Sequence, residues 1–157
     1  MYLKRIIKLR EAPPCRQGAS LMRSMEKVKL IEMTVKKDER GWVAWPIANA
    51  DLENCQLSNF HVPSLKPGVV RGNHYHLHTV EYTLILSGPC RAVFEDNATG
   101  EREEVWVEGK SPVLFKTEAN VTHAFKNESD NDLHLLCYEK REGDRTDQDI
   151  YRKVILM

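Results

Sequence analysis

Short extended segments follow one another along most of the chain, and this regularity limits the folds that it can adopt. Apolar and polar residues alternate in segments such as 28–36 and 90–95, and a period of two is typical of a strand with one buried face. Turn sequences end these segments, as at residues 96–100. About ten such strands at a spacing of roughly 8–12 residues, with no long helical period, predict an all-β sandwich or barrel.

Length and charge define the class of protein further. The 157 residues are predicted to form one barrel domain over 26–157, preceded by an N-terminal extension over 1–25. Lys and Arg total 23, as do Asp and Glu, so the charge balance does not favour binding to nucleic acid or to an anionic membrane. No apolar run approaches the ~20 residues that span a bilayer, and no signal-peptide pattern is present. We therefore expect a cytoplasmic protein.

The most specific pattern in the chain lies between residues 68 and 88. His74 and His76 are two residues apart in an extended segment, so both imidazoles leave the strand on the same face. Glu81 opens the next predicted strand after a short connection. Two imidazoles and a carboxylate joined by a hairpin are three parts of a metal site, and the metals that such ligands suit include Zn, Cu, Fe, Ni and Mn.

This spacing also resembles a known motif. It runs Gly, five residues, His-x-His, four residues, Glu, six residues, Gly, which is similar to the first cupin motif. His123, with Asn127 after it, stands where the second cupin motif has its His and Asn, although Glu118 and Asn120 replace the Pro and Gly of that motif. The resemblance implies a double-stranded β-helix, which is the jelly-roll barrel of the cupins. It also implies one divalent transition metal ion (Fe, Mn, Ni, Zn or Cu) held by His74, His76, Glu81 and His123.

A second, more scattered resemblance concerns the substrate. Residues 38–41, 70–75 and 123–125 are similar to stretches of the cupin epimerases that act on deoxythymidine-diphosphate 4-keto sugars. By that resemblance His74 is the proton-abstracting base and Arg71 lies near the diphosphate; an imidazole suits proton abstraction near neutral pH. These epimerases have Gln at the place of His76, need no metal, and carry a catalytic Tyr that has no counterpart in residues 142–144.

Strand phase assigns further side chains to the barrel interior. Tyr138 is the candidate that could replace the missing catalytic Tyr, and it joins His74 as a predicted catalytic residue. The predicted substrate-binding residues are Arg71, Asn59, His61 and Phe125.

Three functions follow as alternatives. The first is a metal-dependent cupin enzyme that acts on a small oxygenated substrate, such as a sugar or sugar nucleotide, by isomerase, epimerase or dioxygenase chemistry. The second is a non-enzymatic module that binds a small ligand, and the third is a metal-free epimerase-like enzyme with His74 as base. The expected partners are a small molecule and a second copy in a homodimer. The resemblance implies the homodimer, because single-barrel cupins usually pair, and the N-terminal extension over 1–25 is expected to pack on the partner subunit, where it could cover edge strands.

Overall fold

The chain folds into β-strands joined by turns. The computed structural model describes residues 3–6, 25–47, 57–141, 143 and 148–157, so most of the predicted N-terminal extension lies outside the described residues. Within these ranges there is no helix, and hence none long and apolar enough to span a bilayer; the predicted all-β class is confirmed. The strands are β1 (Leu3–Ile6), β2 (Val28–Ile31), β3 (Thr34–Asp38), β4 (Gly41–Trp45), β5 (Asn59–His61), β6 (Ser64–Leu65), β7 (Val70–Tyr75), β8 (Thr79–Ile85), β9 (Cys90–Asp96), β10 (Arg102–Val107), β11 (Val113–Thr117), β12 (Val121–Asn127), β13 (Leu133–Arg141) and β14 (Tyr151–Arg152).

Two sheets contain most of these strands. The first sheet has the order β1-β10-β9-β12-β7-β14, and the second has the order β2-β11-β8-β13-β5 with β6 paired to β13. Neighbouring strands are antiparallel, except that β1 runs parallel to β10. In the described ranges no strand pairing joins the two sheets into a closed barrel, so the predicted jelly-roll class takes the form of two facing sheets.

The inner faces of the two sheets bury an aromatic and aliphatic core. Phe94 on β9 and Phe115 on β11 are almost fully buried, and their ring centroids lie 5.2 Å apart. Phe125 continues this layer 6.0 Å from Phe94, and the imidazole of His123 lies a further 6.0 Å along β12. The apolar core therefore borders the polar cavity at His123.

The outer face of the second sheet is covered by the segment that contains β3 and β4. These two strands form a separate two-stranded sheet. Ile31, Met33 and Ile47 pack against Leu84 and other buried side chains on that face. The outer face is therefore a second apolar layer, separate from the cavity side.

Gly72 lies where β7 approaches β12 most closely. Its φ is +91°, and a Cβ on it would lie 2.6 Å from the carbonyl oxygen of His123. We expect Gly72→Ala to lower the free energy of unfolding by about 2–5 kcal/mol. A left-handed backbone conformation costs ~1–2 kcal/mol for Ala, and the steric clash of its Cβ adds ~1–3 kcal/mol. Urea denaturation measures this loss.

The control for this substitution is Gly100→Ala. Gly100 has a similar φ of +72° but no atom within 4 Å of the added Cβ. It should show only the backbone part of the loss, about 1–2 kcal/mol. Equal losses in the two variants would contradict the importance of the close approach between β7 and β12.

Candidate active site

A cavity of about 510 Å³ opens between the two sheets. Strands β5, β7, β12 and β13 and the segment 148–157 form its wall. The four predicted substrate-binding residues all lie on this wall: Asn59, His61, Arg71 and Phe125. Asn59 and His61 share one face of β5, as alternation requires. Arg71 has the opposite parity to His74 on β7, and both line the cavity because the register between β7 and β12 shifts between these two residues.

Four polar side chains meet inside the cavity, three of them imidazoles. His74 comes from β7, His76 follows that strand, Glu81 comes from β8 and His123 from β12. Glu81 Oε2 lies 3.2 Å from His76 Nε2, 3.2 Å from His123 Nε2 and 3.9 Å from His74 Nε2. The donor atoms all lie within 4.8 Å of one another. Side chains from both sheets therefore meet around one carboxylate.

The Glu81 carboxyl group is ionised in this setting. Burial by itself raises its pKa, but the charge of His123 and the contacts from the three imidazoles outweigh burial and hold the pKa well below its usual range. Thr83 Oγ1 also donates a hydrogen bond of 2.8 Å to Glu81 Oε1. Glu81 is therefore a buried anion whose charge is balanced by the groups around it.

His76 is held by acceptors at both ring nitrogens. Nδ1 donates to the main-chain carbonyl of Asp149, and Nε2 faces the Glu81 carboxylate. Burial lowers the pKa of His76, but the hydrogen bond and charge of Glu81, together with the Asp149 carbonyl, outweigh it, so the pKa is raised. His76 is therefore stabilised as an imidazolium, the counter-charge of Glu81.

His74 is the most accessible of the three imidazoles. Its side chain is 23% exposed, against 5% for His76 and 2% for His123. Its Nε2 atom is 3.9 Å from the Glu81 carboxylate, which is beyond hydrogen-bond distance. A ligand in the cavity can therefore reach His74 while the other two imidazoles remain covered.

Two arginines add positive charge to the exposed part of the cavity wall. Arg71 and Arg152 are both exposed and both line the cavity. Arg71 Nε donates a 2.8 Å hydrogen bond to the carbonyl of Ser64, and Arg152 lies opposite His74 in the pairing of β14 with β7. The sequence analysis missed Arg152, because a two-residue strand near the end of the chain has no pattern of its own.

Asn73 attaches the segment 148–157 to the first sheet. This residue has a φ of +54°, a conformation that Asn tolerates better than most residues. Its side-chain oxygen accepts from the main-chain N–H groups of Ile155 and Leu156, and its amide nitrogen donates to the Leu156 carbonyl at 2.8 Å. The segment is thereby fixed as part of the cavity wall.

Tyr138, a predicted catalytic residue, does not reach the cavity, and this prediction is corrected. Its neighbours Cys137 and Glu139 line the cavity, so the alternation of β13 directs Tyr138 to the outer face. There its ring stacks on Tyr82 with centroids 4.7 Å apart, and its hydroxyl donates to the carbonyl of Pro46.

Glu139 is a cavity residue that the sequence analysis did not identify. It lies directly opposite Glu81 in the pairing of β13 with β8, and its Oε1 atom accepts a 3.0 Å hydrogen bond from Asn59 Nδ2. Two acidic residues directly opposite each other in a sheet are destabilising. The histidine cluster, which consists of His74, His76 and His123, offsets that repulsion beside Glu81. Glu139 has the same parity as Cys137, which also lines the cavity, and the opposite parity to Tyr138, so the prediction that placed Tyr138 inside excluded Glu139.

Comparison with protein families gives one match over most of the chain. Residues 36–151 match the family model described as the polysaccharide biosynthesis C-terminal domain. A curated relative, UDP-2-acetamido-2,6-beta-L-arabino-hexul-4-ose reductase from Pseudomonas aeruginosa, is 27% identical over 120 residues, which cover 76% of this chain and 31% of the relative. The chain thus spans about a third of the length of that relative.

Solved structures with the same fold include two enzymes that act on keto sugars. QdtA, a sugar 3,4-ketoisomerase from Thermoanaerobacterium thermosaccharolyticum in complex with TDP, has a TM-score of 0.64 and 18% identity, covering 83% of this chain and 90% of QdtA. The dTDP-6-deoxy-D-glucose-3,5-epimerase RmlC from Legionella pneumophila, in complex with dTDP-4-keto-L-rhamnose, has a TM-score of 0.63 and 19% identity, covering 77% and 70%. These likenesses establish the fold, and the predicted cupin jelly roll agrees with it.

The prediction of one divalent transition metal ion as cofactor is corrected. The epimerase-like enzymes whose solved structures share this fold are metal-independent. The imidazoles and the carboxylate are present, as the motif implied, but the motif specifies only which side chains meet.

Proposed function

Because the chain belongs to the polysaccharide biosynthesis C-terminal domain family, we propose that it binds a nucleoside-diphosphate keto sugar and moves a proton at the carbon beside the ketone. The reaction would be an epimerisation or an isomerisation. The observation that carries this proposal is an accessible imidazole, His74, beside the buried carboxylate of Glu81 in a cavity of sugar size. The named substrates and ligands of the relative and of the two solved structures support the substrate class.

The reaction needs one base and a carbonyl group. His74 Nε2 takes the proton of a C–H bond next to the ketone, and the electrons of that bond move onto the carbonyl oxygen to give an enolate. In an epimerisation a solvent water molecule gives a proton to the opposite face of the same carbon, and the resulting hydroxide takes the proton from His74. In an isomerisation His74 returns its proton to the former carbonyl carbon, while the proton of the neighbouring hydroxyl group moves to the former carbonyl oxygen, so the ketone moves by one carbon. An imidazole suits this task because its ordinary pKa lies near neutral pH.

A carboxylate lies beside the proposed base. Glu81 Oε2 is 3.9 Å from His74 Nε2, the nitrogen that would take the substrate proton. The Glu81 carboxylate remains anionic because its pKa is held low. The group beside the base therefore does not itself exchange protons.

The two exposed arginines supply the binding of the diphosphate. Guanidinium groups bind phosphate oxygens through two parallel hydrogen bonds. We expect Arg71→Gln and Arg152→Gln each to weaken the binding of TDP or UDP by about 10- to 100-fold, since hydrogen bonds to charged groups contribute ~1.5–3 kcal/mol. Isothermal titration calorimetry measures the dissociation constants.

Arg40→Gln is the matched control for these two substitutions. Arg40 is exposed at the turn between β3 and β4, where it pairs with Asp38 and is not among the residues that line the cavity. Its replacement should leave the dissociation constant unchanged. Unchanged binding in both cavity variants would contradict a diphosphate site at this wall.

Hydrogen exchange with solvent tests the function directly. The protein is incubated in D₂O with dTDP- and UDP-linked 4-keto-6-deoxyhexoses, and deuterium at the carbons beside the ketone is followed by NMR and mass spectrometry. We expect incorporation above the buffer rate, and we expect it to persist after treatment with EDTA. His134 is exposed, and His134→Gln is the control variant. Deuterium incorporation into the substrate should proceed at the wild-type rate with this variant.

Two outcomes would count against this function. Tight binding of the nucleotide sugar without exchange would favour the non-enzymatic ligand-binding alternative. Loss of exchange on chelation would reject the metal-free mechanism.

The homodimer stays a prediction. Phe60 on the edge strand β5 and Val62 beside it are exposed, and they provide an apolar surface that a second copy would cover.

A further inference from the structure

We propose that Asp149 is a positioning residue for the histidine cluster and acts through His76. Its effect on the reaction rests on the function proposed above, whereas its effect on the imidazole does not. Asp149 lies 73 residues from His76 in the sequence, and no motif includes it. The proposal joins two sets of contacts that this one residue makes.

The first set is made by the carboxylate with the turn between β7 and β8. Oδ1 accepts a 2.8 Å hydrogen bond from the main-chain N–H of Leu77. Oδ2 accepts from the main-chain N–H of His78 at 2.9 Å and from Thr79 Oγ1 at 2.7 Å. Asp149 is only 6% exposed. Three donors from consecutive residues therefore fix the position of this side chain on the turn that directly follows His76.

The second contact is made by the main chain of the same residue. The carbonyl oxygen of Asp149 accepts the hydrogen bond from His76 Nδ1. The opposite ring nitrogen, Nε2, then faces Glu81 Oε2 at 3.2 Å. Acceptors at both ring nitrogens hold the His76 ring in one rotation, with a proton directed at each acceptor.

These contacts link the cavity wall to the histidine cluster. Asp149 begins the stretch in which Ile150, Arg152 and Val154 line the cavity, and its carboxylate holds that stretch against the turn. If the carboxylate is removed, the carbonyl has no fixed place, and the His76 ring is free to rotate about its Cβ–Cγ bond. Glu81 would then lose an oriented donor, and the charge beside His74 would change.

A residue that only capped a turn would leave the His76 ring unaffected, and this difference defines the test. Long-range ¹H–¹⁵N NMR of the unliganded protein reports the proton on each ring nitrogen of His76. We expect the Nδ1 proton of wild-type His76 to give a slowly exchanging signal, because the Asp149 carbonyl accepts it. We expect Asp149→Ala to lose that slow exchange, because the ring is then no longer fixed on its acceptor. A wild-type pattern for His76 in Asp149→Ala would overturn the proposal.

The kinetic arm measures the consequence for the reaction. We expect Asp149→Ala to lower kcat for hydrogen exchange by about 10- to 100-fold, the size of effect that small misplacement of reacting groups produces, with little change in KM. Asp149→Asn keeps one acceptor oxygen and should recover part of kcat. Asp132→Asn, in an exposed turn before β13, is the control and should match the wild type in both measurements.

The two arms separate this proposal from the proposed function. If the wild type shows no exchange at all, the proposed function fails, and the NMR arm still decides the role of Asp149. If kcat falls while the His76 spectrum stays unchanged, the positioning role is wrong. Should Asp149→Ala not fold, Thr79→Val removes one of the three donors and keeps the side-chain shape; a partial shift in the His76 spectrum supports the proposal, and none contradicts it.

Discussion

Replacing His74 with Gln is expected to slow hydrogen exchange at the substrate carbon by about 10²–10⁴-fold, the usual contribution of a positioned general base. Gln has a similar size and polarity but no basic nitrogen at neutral pH. Binding of TDP should be little changed, because the arginines that we assign to the diphosphate remain. Deuterium incorporation measured beside calorimetry separates the two effects.

Tyr138→Phe is the informative comparison for this variant. Tyr138 stacks on Tyr82 at the outer face of the second sheet, so removal of its hydroxyl should leave the exchange rate near that of the wild type. If instead Tyr138→Phe stopped the exchange and His74→Gln did not, the assignment of the base would be reversed.

Replacing Glu81 with Gln is expected to lower the free energy of unfolding by about 3–5 kcal/mol, the usual loss when one partner of a buried ion pair is removed. The substitution leaves the His76 imidazolium without its counter-charge in a site where both side chains are at most 6% exposed. Urea denaturation of both proteins gives the difference. Glu101→Gln changes the same group in an exposed turn, and it should have almost no effect.

The loss should also depend on pH. The pKa of Glu81 is lowered in the folded protein, so its contribution is present above its ordinary pKa of 4.5 and is lost as the pH falls through the folded value. The pKa of His76 is raised, so its contribution is full below 6.5 and is lost as the pH rises through the folded value. The difference between wild type and Glu81→Gln is therefore expected to be largest between pH 4.5 and 6.5. A difference that does not vary with pH would contradict the ion pair.

Strand alternation and one spaced motif were sufficient to predict much of the site. The motif placed His74, His76 and Glu81 on adjacent parts of one hairpin, and the pairing of β12 with β7 brings His123 beside them. Parity is a relative property, however, and an error of one residue moves a side chain to the other face of the sheet. Tyr138 illustrates this, because its neighbours on both sides face the cavity.

The remaining parts of the site depend on contacts that no local pattern encodes. Arg152 lines the cavity and Asp149 contacts His76 from the segment 148–157, which Asn73, 83 residues before Leu156 in the sequence, attaches to the first sheet. A two-residue strand is too short for periodicity to indicate. The metal prediction failed for a different reason: the spacing of the residues specifies which side chains come together, and it does not specify what they hold.

The placement of charge in the cavity has a consequence for how a ligand can enter it. Arg71 and Arg152 are exposed where the wall meets solvent, whereas the carboxylate of Glu81, further inside, is surrounded by imidazoles that balance its charge. If the protein acts on a nucleotide sugar as proposed, the diphosphate would stay beside the two arginines and the neutral hexose would extend inward to His74. The order of charges along the cavity would then determine which end of the molecule reaches the base.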